Sequence, residues 1–398
     1  MMRTLMIAGY GMAGHRLAEE VLALDADEEW RIVILGEELY PAYDRVCLSG
    51  YLDGRSRADL MLPGRDFLQH PRAQLWLGCP AVGGDPASRT VRTADGSCLT
   101  YDALVLATGS RPFVPPVPGH DLPGCFVYRT FDDLDAIRAH ARPGRNGVVV
   151  GGGLLGLEAA NALRLLGMTP HVVETGPHLM PAQLDRGAAA VLHRHVTGLG
   201  VAVHCGTATV SIDSHPARTV RSVTLSNGTV IDTPLVIFAA GVRPRDDLAT
   251  ALGLERADRG GFLTDKLCRT SAPQVWAVGD CAAVGGRCYG LVAPGYRMAG
   301  SVARQVLGLE AEPLEDIDTS TTLKLLGINV ATFGATGHQG AMEAAFAEDT
   351  RYAKAVFDAD TGVLLGGILA GNTGTPTTLQ PFIGRQPPAD LEQLLLPA

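Results

Sequence analysis

The strings MIAGYGMAGHR (6–16) and VVVGGGLLGLEAA (148–160) each carry an apolar run into glycines spaced Gly-x-Gly-x-x-Gly and then into an amphipathic stretch. The first set is Gly9, Gly11 and Gly14, with Met12 and Ala13 inside it; the second is Gly151, Gly153 and Gly156, with Leu154 and Leu155 inside it. In a strand–turn–helix, this spacing permits a tight turn, close backbone approach to a phosphate and close helix packing. The amides and positive dipole end at the helix start then attract a pyrophosphate. After each copy a second apolar run ends in an acid, Glu37 after RIVILG and Glu174 after HVV, where a carboxylate can bind ribose hydroxyls. One such glycine set among 48 glycines says little. However, ALVLATGSRP (103–112) follows the first copy and LVIFAAGVRP (235–244) follows the second. Two features recurring in the same order read as a duplication. The expected class is α/β, with two Rossmann-like dinucleotide-binding domains.

At 398 residues the chain exceeds one ordinary hydrophobic core, so two or three domains are expected. The net charge of −9 argues against nucleic acid or an anionic membrane as the main partner. No apolar run approaches the ~20 residues of a membrane span. The start MMRTLMIAG lacks the features of a signal peptide, so a cytoplasmic location is expected. The eight cysteines form no CxxC or CxxxxC pair, which argues against a dithiol active site and against zinc or iron–sulfur ligation. Glu174 would repel a 2′-phosphate, and no arginine follows it before Arg186; NADH is therefore favoured over NADPH.

These units, with ATGSRP and the late string VWAVGDCA (275–282), resemble the FAD-dependent pyridine nucleotide oxidoreductases. The longer strings GMAGHR, YDRVCLSGYL (43–52), PHLMPAQLD (177–185) and YGLVAP (289–294) look like the FAD/NADH portion of assimilatory nitrite reductase large subunits and nitrate reductase electron-transfer subunits. The resemblance implies a discontinuous FAD domain over 1–113 and 245–309, an NAD domain over 114–244 and a small C-terminal α+β interface domain over 310–398. FAD would be held by the first glycine set, by Glu37 on the adenosine ribose, and by Arg45 beside the flavin or the pyrophosphate. Val82, Ala107, Thr108, Gly109, Gly279 and Asp280 would complete that site. NADH would be held by the second glycine set, Glu174 and Gly241. Glu158 stands where such enzymes place a carboxylate near the nicotinamide; an acid favoured by the dipole at a helix start is the other reading of it.

Where related ferredoxin reductases carry a lysine near the flavin, this chain reads Leu48-Ser49-Gly50. It also carries neither the iron–sulfur region nor the sirohaem domain of the nitrite reductases, so it is not expected to reduce nitrite by itself. The expected activity is hydride transfer from NADH to FAD, with electrons passed to a separate redox protein. Candidate acceptors are the catalytic component of a nitrate or nitrite reductase, a ferredoxin or a rubredoxin. The tail strings TLKLLGINVATFGA and RYAKAVFDADTGVLLGGILAG read as strands, the second folded at DADTG into a hairpin. A partner or a second copy of the chain, as a homodimer, would sit there. Two alternatives stay open: an NADH oxidase, peroxidase or disulfide reductase using Cys47 as a redox thiol, and a slow-turnover redox sensor.

Overall fold

The computed structural model describes residues 2–216, 218–315, 318, 320–337, 340–371 and 379–387. The chain divides into two compact units. One comprises Met1–Leu48, Arg55–Arg111 and Val242–Ile317; the other comprises Ser49–Gly54, Pro112–Gly241 and Asp318–Ala398.

In the first unit the strand Arg3–Ala8 is central to a five-stranded parallel sheet ordered Val275–Ala277, Ala103–Leu106, Arg3–Ala8, Trp30–Leu35, Ala73–Trp76. Its strands are nearly unbroken apolar runs because helices cover both faces of such a sheet. Leu5, Ile7, Ile32, Ile34 and Val105 are fully buried. The second unit repeats this plan in the order Cys125–Val127, Val236–Phe238, Asn146–Val150, Thr169–Glu174, Ala202–Cys205, again all parallel. Each sheet has a three-stranded antiparallel companion, Ala81–Asp85 with Thr90–Thr93 and Cys98–Thr100 in one unit, Thr209–Ser214 with Val220–Leu225 and Val230–Asp232 in the other. The duplication read in the strings is thus a duplication of whole sheets.

The C-terminal stretch forms a five-stranded antiparallel sheet ordered Thr321–Leu325, Ile328–Gly334, Leu364–Gly371, Arg351–Asp358, Ala341–Ala347. The hairpin expected at DADTG joins Arg351–Asp358 to Leu364–Gly371. Instead of standing apart as a third domain, this sheet is grouped with the second nucleotide-binding segment, and so is Ser49–Gly54. The reason is visible at the helix Arg186–Gly198: the Tyr352 ring fills the space beside Gly187, and Arg194 Nε donates to the Asp349 carbonyl at 2.8 Å. Among the described residues no helix is long and apolar enough to cross a membrane.

Candidate functional site: two nucleotide cradles

The helices Met12–Leu24 and Leu154–Leu165 start on Gly11 and Gly153, which offer no side-chain cap. Two other helices are capped by side chains, whereas Val292–Val306 starts on Leu291 without one. Thr130 and Asp133 form a reciprocal box on Phe131–His140, and Asp185 accepts from the Ala188 amide on Arg186–Gly198. Uncapped first-turn amides are unsatisfied donors beside a positive dipole end, as an anion site requires.

The glycines divide the work identically in both copies. Gly9 and Gly151 have φ of 115° and 119°, and a Cβ on them would lie 2.2 Å from the Ala107 carbonyl oxygen and 2.3 Å from that of Ala239. A Cβ on Gly14 would come within 2.4 Å of the Gly9 oxygen, and one on Gly156 within 1.9 Å of the Gly151 oxygen. By contrast, a Cβ on Gly11 or Gly153 meets nothing within 4 Å, and Gly109 and Gly241 are equally open. The outer glycines close helix onto strand. The middle ones face open space and leave the backbone free to be approached closely.

In the first unit Glu37 is forked by the Arg245 guanidinium, with Nη2 at 2.9 Å from Oε1, and this pairing holds its carboxyl below the usual range. A ribose would therefore share Glu37 with a cation. Thr108 Oγ1 donates to the Arg245 carbonyl at 2.5 Å, and the Arg245 amide donates to Gly109 at 2.9 Å. Arg245, which sequence reasoning missed, directly follows the string GVRP of the second copy. Asp280 accepts from Ser110 Oγ at 2.7 Å within the short turn Gly279–Cys281. Arg45 donates to the Tyr43 hydroxyl at 2.8 Å and pairs with Glu38, whereas Val82 is 45% exposed on Ala81–Asp85. The Cys47 thiol is pushed up by burial and by a hydrogen bond to Asp44, the reverse of what a redox thiolate needs.

The second unit contains a cavity of about 410 Å³ lined by the glycine turn with Leu154 and Leu155, by Glu174 and Thr175, by 181–183 and by 239–241. Among the described residues no lysine or arginine lines it. Glu174 is nearly buried, and its carboxylate accepts from the Gly152 amide at 2.7 Å and the Gly176 amide at 2.6 Å. This binds the end of Thr169–Glu174 to the glycine turn and puts negative charge on the cavity wall. Glu158 lies one turn beyond Leu154 and Leu155 on the same helix face. It accepts from Ser49 Oγ at 3.1 Å, and Ser49 accepts from the buried Tyr128 hydroxyl at 3.0 Å. Burial pushes the Glu158 carboxyl up to about 7, with the Ser49 hydrogen bond pulling the other way. Sequence reasoning named Ser49 only as the neighbour of Gly50, where related ferredoxin reductases carry a lysine, and Tyr128 carried no signal at all.

Two parallel-sheet units, each with an uncapped glycine-started helix and an acid at or just past the end of the next strand, define a two-nucleotide NAD(P)H-dependent oxidoreductase with FAD and NADH as cofactors. The sequence profile described as pyridine nucleotide-disulphide oxidoreductase matches residues 3–304, and the chain belongs to that family. It is 46% identical over 99% of its length to the nitrite reductase [NAD(P)H] large subunit of Klebsiella oxytoca, covering 42% of that protein. It is 35% identical over 93% of its length to the assimilatory nitrate reductase electron transfer subunit of Bacillus subtilis, covering 48% of it. The chain thus spans less than half of these relatives. Among solved structures, a ferredoxin reductase from Rhodopseudomonas palustris is similar with a TM-score of 0.83 and 28% identity, over 92% of this chain and 91% of that one.

Proposed function

We propose that this chain takes hydride from NADH onto FAD and passes the electrons to a separate redox protein, a nitrate or nitrite reductase component or a small iron–sulfur protein. The observation that carries the reading is the pair of matched cradles, the second opening into a cavity that no lysine or arginine among the described residues lines. FAD would bind the first cradle and NADH the second. When bound, FAD supplies the conversion of a two-electron donor into one-electron steps.

The chain's own residues bind and orient. The amides at Met12–Leu24 and Leu154–Leu165 hold the two pyrophosphates, and Glu174 takes the adenosine ribose while repelling a 2′-phosphate. Glu37 and Arg245 together fix the other ribose. Asp280, held by Ser110, accepts from the ribityl chain. The similarity to a ferredoxin reductase over nearly its full length supports a separate acceptor, as does the likeness to an electron transfer subunit.

Mixing NADH anaerobically with the flavin-loaded protein is expected to bleach the flavin band in a single fast phase. Adding the physiological acceptor should restore it faster than disulfide or peroxide does. Cys47→Ser should leave both rates unchanged, because its thiol is poorly ionised. A flavin unreactive with NADH would overturn the proposal, and loss of turnover in Cys47→Ser would return the redox-thiol alternative.

A further inference from the structure

The sheet order of the second unit puts Glu174 and Tyr128 on opposite sides of the strand that carries the glycine turn. Glu174 ends the strand on one side of Asn146–Val150, whereas Tyr128 follows Cys125–Val127 at the opposite edge, beyond Val236–Phe238. With the adenosine ribose at Glu174 and the pyrophosphate over Gly153, the nicotinamide half of the nucleotide extends toward 239–241. That is the side carrying Tyr128, Ser49 and Glu158. This placement rests on the function proposed above.

The surroundings of Glu158 are unusual for a carboxyl. Its partners are hydroxyls, Ser49 directly and Tyr128 through Ser49. Among the described residues no ion pair or hydrogen bond from a charged side chain reaches it. The nearby charges on Phe131–His140 are engaged with the same loop: Asp135 accepts from Tyr51 Oη at 2.9 Å, and Arg138 donates to the Tyr51 carbonyl at 2.8 Å. With the nucleotide bound as proposed, this carboxyl stands on the side of the one part of the nucleotide whose charge changes in the reaction. The ring is neutral in NADH and cationic in NAD+. An opposite charge a few ångströms away favours the carboxylate, and a neutral ring does not.

We infer that Glu158, held by the positioning residues Ser49 and Tyr128, releases its proton when the nicotinamide becomes cationic, so that NAD+ is bound by a carboxylate and NADH by a neutral carboxyl. Hydride leaves the ring with its bonding pair, and those electrons pass on to the acceptor. At Glu158 the O–H bond breaks heterolytically; the pair stays on oxygen, and the proton exits to solvent from the half-buried carboxyl. Ser49 then donates to the new carboxylate, with Tyr128 holding Ser49 in place.

The experiment is calorimetric titration of the oxidised, flavin-loaded protein at several pH values in two buffers of different ionisation enthalpy. The probes are NAD+ and the tetrahydronicotinamide analogue of NADH, which cannot give up hydride. Proton release is expected with NAD+ and not with the analogue. Glu158→Gln should abolish the release and weaken NAD+ by about tenfold, the equivalent of one pKa unit of interaction, while leaving the analogue unaffected. Ser49→Ala and Tyr128→Phe should keep the release but move its pH optimum upward, the former more, with flavin content and Tm unchanged. Equal proton release with both probes, release retained in Glu158→Gln, or unmoved optima in both hydroxyl variants would overturn the inference. Failure of NAD+ and the analogue to bind at all would sink the nucleotide-site reading itself, a different result from binding without proton release.

Discussion

Burial pushes two titratable side chains toward their neutral forms, Glu158 in the second unit and His15 in the first. The glycine sets disclosed both cradles because each role is local: a turn, an open approach, a helix–strand contact within a few residues. Ser49, Tyr128 and Glu158 meet only after folding, and a serine or tyrosine has no spacing pattern that betrays a hydrogen bond to a distant carboxyl. Arg245 was equally hidden, since its partner Glu37 lies in the first copy of the motif. His15 is a further case, inside the string GMAGHR yet silent there about its state. It is 3% exposed, packed edge-on against Phe67 at 4.7 Å and 3.4 Å from the Tyr10 hydroxyl, and burial pulls its pKa from 6.5 down to about 4. The native state therefore keeps His15 neutral, whereas the unfolded chain protonates it below 6.5. The stability it contributes is present above that value and is lost as pH falls toward 4, up to about 3 kcal/mol for this one group. Urea unfolding at steps between pH 7 and 4 should show a shallower loss for His15→Gln than for wild type. Parallel losses would place the titration elsewhere.

Strands and helices of the two cradles could be delimited from the sequence because apolar runs, glycines and terminal acids mark both ends of each element. What the elements pack against was another matter. PHLMPAQLD carried a family resemblance in the sequence, but nothing in it told that its end is pinned by the C-terminal sheet. There, Asp185 caps the Ala188 amide at 3.0 Å, accepts from Tyr352 Oη at 2.7 Å and lies 3.5 Å from the buried Lys354 ammonium, which also meets Glu343 at 2.7 Å. The segment 181–183 just before Asp185 lines the nucleotide cavity. Tyr352→Phe removes one hydrogen bond and no volume, so it should cost about 1 kcal/mol. Expressed at the cavity wall, that loss would raise the KM for NADH by about fivefold. Steady-state kinetics with ferricyanide, alongside Tm, measure both. An unchanged Tm would mean the Tyr352 contact contributes nothing to holding the helix Arg186–Gly198.

For the chain as a whole, the repeated strings implied that one nucleotide-binding segment interrupts another. They did not show Ser49–Gly54 and the C-terminal sheet joining the second segment, because those memberships come from contacts between residues far apart in the chain. Each unit has its own buried cluster, around Leu5, Ile34, Val105 and Val302 in one and around Val148, Val173, Val223 and Phe238 in the other. Separate cores allow separate melting. A ligand that binds one folded unit stabilises that unit by mass action, about 2.7 kcal/mol at one hundred times Kd. Scanning calorimetry of the flavin-loaded protein should then resolve two transitions. NAD+ should raise the one belonging to Pro112–Gly241 and its sheet, and leave the other in place. Excess FAD should do the reverse. A single transition that moves as one body with either nucleotide would show that the two cores unfold together, and that the effect of NAD+ on one cradle is transmitted to the whole chain.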